Sequence, residues 1–190
     1  MGQRGFLWLM AAALALMTAA FYFVSERGLP RDPAGTPLLP ALAARVDEVT
    51  AVLIRKGGPE PVVTLRKVGD AWIVAGSGDP PADRAKLIHL LRALADARLI
   101  DEKTTSPADY RYVGVEDPTA PGATGTEIEV DTAYSRYAVI IGRRIGGETI
   151  VRRRGERASY GVLPPIAVTA DPADWRDARA VPSPPGEPAS

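Results

Sequence analysis

A single histidine, His89, and no cysteine set the outer limit on what this chain could catalyse or ligate. Without cysteine there is no disulfide, no thiolate nucleophile, no thiolate metal site and no lipid-bearing residue behind a leader segment. One imidazole with carboxylates is a poor donor set for zinc. His89 falls on a helical stretch beside Arg92 and Asp96, away from the apolar stripe, so it is expected to face water. The motifs of zinc proteases, nucleotide-binding loops and serine hydrolases are missing, and Gly76-Ser77-Gly78 reads as a turn before a helix. Two acid pairs, Asp101/Glu102 and Glu116/Asp117, could serve general acid–base chemistry or calcium, but both flank turns and lack a calcium-loop spacing. The expectation is therefore no catalytic residue, no metal and no cofactor. A hydrolase reading would need a pocket in which acids of shifted pKa converge.

The densest charge lies in Arg143, Arg144, Arg152, Arg153, Arg154 and Arg157, on two neighbouring strands and their turns. If the strands pair, these six arginines could form one interaction patch suited to anionic lipid, a phosphate-bearing envelope polymer or an acidic subunit. The competing reading is a solvated, aggregation-resistant hairpin, with Glu148 and Glu156 as counter-charges. Lys plus Arg and Asp plus Glu balance at 23 each, so no overall field draws the chain to nucleic acid, and none is expected as partner.

The elements that must position these residues are legible as changes of period. EVTAVLIRK (48–56) and PVVTLRKV (61–68) flank a Gly57-Gly58-Pro59 turn, and Ala71-Trp72-Ile73-Val74 follows Gly69-Asp70, which predicts a three-strand meander with one buried face. Over residues 81–98, Leu87, Ile88, Leu91, Leu94 and Ala95 form the stripe of a helix started at Asp79-Pro80-Pro81, with Asp101 to Thr104 ordering its exit. A helical turn from Ser106 to Gly114 precedes strands at 126–131, 136–142, 149–154 and 158–163, the last two around Gly155-Glu156. A final turn at 171–175 offers Trp175 to close the core, and Asp117 is expected to cap a turn. Strands, helix, strands predict an α+β fold: an antiparallel sheet with one main covering helix.

Residues 6–24, FLWLMAAALALMTAAFYFV, begin at Phe6, end at Val24 and carry no charge, proline or glycine. As a helix they extend about 28 Å, close to the hydrocarbon thickness of a bilayer. Trp8 and Tyr22 stand where interfacial rings belong, and Arg4 and Arg27 flank the run. A cleaved leader is the competing reading, with Thr18-Ala19-Ala20 as the small residues, but Phe21, Tyr22 and Phe23 would then leave an apolar new terminus. The flanking arginines do not choose an orientation; the extreme N-terminal position favours an exported C-terminal domain. The expected organisation is a transmembrane anchor (1–25), a Pro/Gly-rich tether (26–41), an extracytoplasmic α+β domain (42–178) and a Pro-rich tail (179–190). This makes a single-pass protein of the cytoplasmic membrane, its domain facing the periplasm or exterior.

The order of weak motifs resembles a known family. Val49-Thr50-Ala51-Val52, Val63-Thr64-Leu65-Arg66, Ala71-Trp72-Ile73-Val74, Pro81-Ala82-Asp83, Asp101-Glu102-Lys103-Thr104, Tyr112-Val113-Gly114-Val115-Glu116-Asp117-Pro118 and Val151-Arg152-Arg153 follow one another as in the bacterial domain-of-unknown-function family forty-three-forty. The resemblance covers residues 38–175. It implies an exported, membrane-anchored protein associated with gliding-motility-type ABC transport systems, with protein partners in an envelope or transporter complex. It supplies no catalytic residues. Longer members repeat the domain, which implies that a one-copy chain needs a partner.

Overall fold

The computed structural model describes residues 34–179. The expected anchor, the first half of the tether and all of the tail but Arg179 lie outside the described residues. Among the described residues no helix is long and apolar enough to cross a membrane.

Eight strands form one antiparallel sheet: β1 (Val49–Arg55), β2 (Pro61–Val68), β3 (Ala71–Val74), β4 (Arg98–Thr104), β5 (Thr126–Thr132), β6 (Arg136–Ile145), β7 (Glu148–Arg153) and β8 (Ser159–Leu163). Their spatial order is β3-β2-β1-β5-β6-β7-β8-β4. Two meanders, β1–β3 and β5–β8, join through the β1–β5 pair, in which Val52 faces Val130 and Ile54 faces Ile128. Among the described residues three α-helices accompany the sheet: the single-turn α1 (Pro40–Ala43), the longer α2 (Arg84–Asp96) and the single-turn α3 (Tyr110–Val113). The described residues adopt the expected α+β class, one antiparallel sheet with α2 as its main helix.

Helix α2 covers one face. Asp83 caps it, its Oδ1 accepting the Lys86 N–H at 3.0 Å. The two prolines expected to open the helix instead extend along β3, where Val74 N–H donates to the Pro80 carbonyl and Ala82 N–H to that of Trp72. Leu87, Leu90, Leu91 and Leu94 pack on Val52, Ile54, Leu65, Val130 and Val139, while Ile88, expected in the stripe, is only half-buried and Leu90 takes its place. Trp175 closes this core from the turn Pro172–Trp175, its indole N–H donating to the Thr169 carbonyl at 3.1 Å.

Three expectations need correction. Residues 98–104 are an edge strand, β4, paired antiparallel to β8, rather than a helix exit. Their charges had hidden it: only Leu99 of RLIDEKT is fully buried, as an edge strand requires. The last residues of the expected tether belong to the domain, since Leu38 and Leu39 are buried and Gly35 to Leu38 bond along β4. Pro37 sits in that edge pairing and Pro40 in the first turn of α1, both positions that need no proline N–H. Third, the sheet buries parts of both faces: Tyr110 and Val115 cover Ile140 and Ile150 on the side opposite α2.

Candidate functional site

The side of the sheet away from α2 carries the buried charged residues Glu127, Glu129 and Arg152. Alternation along β5 sends Ile128 and Val130 into the main core, and Glu127 and Glu129 to this second face. Both glutamates are buried beneath arginine side chains. Arg55 Nη1 lies 2.9 Å from Glu127 Oε1 and 3.0 Å from Glu129 Oε2. Arg154 Nη1 reaches the same Glu127 oxygen at 3.1 Å, and Arg136 Nε approaches Glu129 at 3.2 Å and Asp131 at 2.8 Å. Burial alone would pull the Arg55 guanidinium down; the bonds to and attraction of Glu129 and Glu127 outweigh it and leave Arg55 above its usual value. Such a network fixes geometry more than it adds stability, because desolvating the charges offsets much of their attraction.

Beside it, α3 and the loop to residue 120 face the β7–β8 turn across an open cleft of about 590 Å³, whose walls include Tyr110, Glu116, Asp117, Arg154, Glu156 and Arg157. Buried Arg152 forms the floor, its guanidinium 4.5 Å from the Tyr110 ring centre. Its Nε donates to the Val115 carbonyl at 2.9 Å, Nη1 to that of Glu156 at 3.0 Å and Nη2 to Asp117 Oδ1 at 2.9 Å. The Tyr110 hydroxyl donates to the Arg157 carbonyl at 2.7 Å. Burial pushes the Tyr110 phenol up, against the opposing pull of Arg152 and Arg157. Glu116 Oε2 is buried with no hydrogen-bond partner among the described residues.

The six arginines therefore do not make one patch. Arg152 and Arg154 point to the second face, while Arg153 points to the α2 side, donating to the Leu38 carbonyl at 2.7 Å and stacking 6.0 Å from the Tyr160 ring centre. Arg157 is exposed on the cleft rim, and Arg143 and Arg144 are exposed near the far end of β6. Strand alternation, already readable in TIVRRR, requires this split.

The acid pairs part in the same way. Asp101 and Glu148 share Lys103, at 2.8 and 2.9 Å, and these contacts raise the Lys103 ammonium. The Asp117 carbonyl does take the Ala120 N–H at 2.8 Å, as a turn requires, but its side chain serves Arg152, which nothing local in the sequence signals. His89 is exposed and borders a shallow depression with Lys86, Leu90, Thr169 and Trp175. Among the described residues, no three His, Asp or Glu side chains are grouped to hold a metal ion. No family model, curated protein or solved structure matches the chain.

Proposed function

We propose that this chain is a single-pass accessory or scaffold protein of a transporter-like envelope assembly, anchored by residues 6–24, with its α+β domain outside the cytoplasm and no catalysis of its own. The uncharged apolar run of residues 6–24 carries this reading. The domain's design is consistent with a rigid body that is held in place and contacted. Its buried Glu127 and Glu129 are tied up by arginines, and part of each sheet edge is covered, the start of β4 by residues 35–38 and β3 by residues 80–82. The resemblance of its motif order to the family with transport-system associations is the support for the assembly role. Alkaline carbonate extraction of membranes should leave the chain in the pellet, and mild detergent should bring it out with a permease-type partner. A carbonate-soluble chain would remove the anchor, and a lone monomer at native expression would remove the assembly.

Retention of an anionic envelope polymer is a second reading, favoured by the cleft whose rim carries Arg154 and Arg157. Replacing Arg157 with Ser should then reduce polymer retention without loss of folding; unchanged retention would eliminate it.

A further inference from the structure

One wall of the cleft beside α3 carries an unmatched acid and the other an unmatched arginine. The charges around them are settled. Asp117 takes Arg152 Nη2 at 2.9 Å, Glu156 takes Arg153 Nη1 at 3.3 Å, and half-exposed Arg154 gives its Nη1 to buried Glu127 at 3.1 Å. Carbonyls on both walls are used as well, those of Val115 and Glu156 by Arg152 and that of Arg157 by the Tyr110 hydroxyl. Glu116 and Arg157 remain. Neither side chain makes a hydrogen bond or an ion pair among the described residues. Glu116, on the loop after α3, is only partly exposed, and its Oε2 is buried; Arg157, on the β7–β8 turn, is exposed. A carboxylate drawn in this far without a donor is unfavourable, and a ligand that brings it a cation relieves the cost.

We infer that this cleft binds a short peptide by its two free ends, the terminal ammonium at Glu116 and the terminal carboxylate at Arg157. A ligand of one sign answers only half of the site. A polyanion, the ligand of the second reading above, is opposed by Glu116, and a polyamine is opposed by Arg157; a zwitterion matches both. Arginine takes a carboxylate through paired N–H donors, and Arg154 on the same rim adds a second cation. Size sets the length. A volume of about 590 Å³ corresponds to a sphere about 10 Å across. An extended tripeptide, at about 3.3–3.6 Å per residue, has that span, whereas a single amino acid carries both charges on one carbon. Pro107, Tyr110 and Ala120 supply apolar wall, and because the cleft is open the peptide's amides keep their water. The inference is independent of the membrane anchorage.

Ligand-observed NMR titration of the full chain in detergent, at low salt, tests this with three probes: tri-alanine, its N-acetylated form and its C-terminal amide. Tri-alanine should bind, and each cap should weaken it by about fivefold, the worth of one solvent-exposed ion pair. Glu116→Gln should weaken tri-alanine by the same factor and leave the acetylated peptide as it was. Arg157→Gln should weaken tri-alanine likewise and leave the amide as it was. The capped peptides act on the unaltered chain, so the result does not depend on a variant folding. Tri-alanine that fails to bind, or capped peptides that bind as tightly as the free one, overturns the inference. Inorganic polyphosphate that binds more tightly than tri-alanine, and more tightly still to Glu116→Gln, also overturns it and assigns the cleft to an anionic polymer.

Discussion

Arg152 ties the 115–117 loop to the β7–β8 turn through one guanidinium that bonds the carbonyl of Val115, the carbonyl of Glu156 and the carboxylate of Asp117. Arg152→Ala should destabilise the domain by about 3 kcal/mol, because it leaves buried acceptors without donors. Asp117→Asn should cost under about 1 kcal/mol, since Asp117 is largely exposed and the two carbonyl bonds persist. Denaturant titrations of the two variants check this ordering. Tyr110 gives a pH signature. Its phenol is raised by burial, so above about pH 10 the unfolded chain loses the phenolic proton while the folded chain keeps it. The unfolded state then binds fewer protons, and stability falls as pH rises from the ordinary tyrosine value through the raised one. Tyr110→Phe should flatten that part of the alkaline stability profile relative to the parent chain.

At the scale of elements, α2 and α3 play different parts. Leu90, fully inside the α2 interface, should cost about 2–5 kcal/mol as Leu90→Ala, and half-buried Ile88 distinctly less. Gly142 lets α3 lie directly on β6; Gly142→Ala should cost about 1–3 kcal/mol or more and loosen the Tyr110 cleft, measurable as faster hydrogen exchange over residues 110–116. The strands legible in advance were those whose signals are local: β-branched alternation in β1 and β2, glycine turns, and a period change into α2. The β4 strand was not legible because charge on an exposed edge strand looks like a solvated exit. Glu127 and Glu129 alternate with Ile128 and Val130, which reads locally as a wet face. Arginines from β1, β6 and the β7–β8 turn bury them, a fact of tertiary pairing. The arginine cluster errs the other way, because neighbours along a strand point to opposite faces.

For the whole molecule, the domain and the apolar run make separate demands. The domain covers β3 and the start of β4 and holds buried Glu127 and Glu129 with arginines, while Arg143 and Arg144 remain exposed and outside that network. The account's central claim is that this domain stands outside the cytoplasm on a membrane anchor. Tyr134, 81% exposed at the β5–β6 turn, is a suitable reporter in a chain without cysteine. Tyr134→Cys, treated in intact spheroplasts with a membrane-impermeant maleimide, should be labelled as fully as after lysis; labelling only after lysis would contradict the claim.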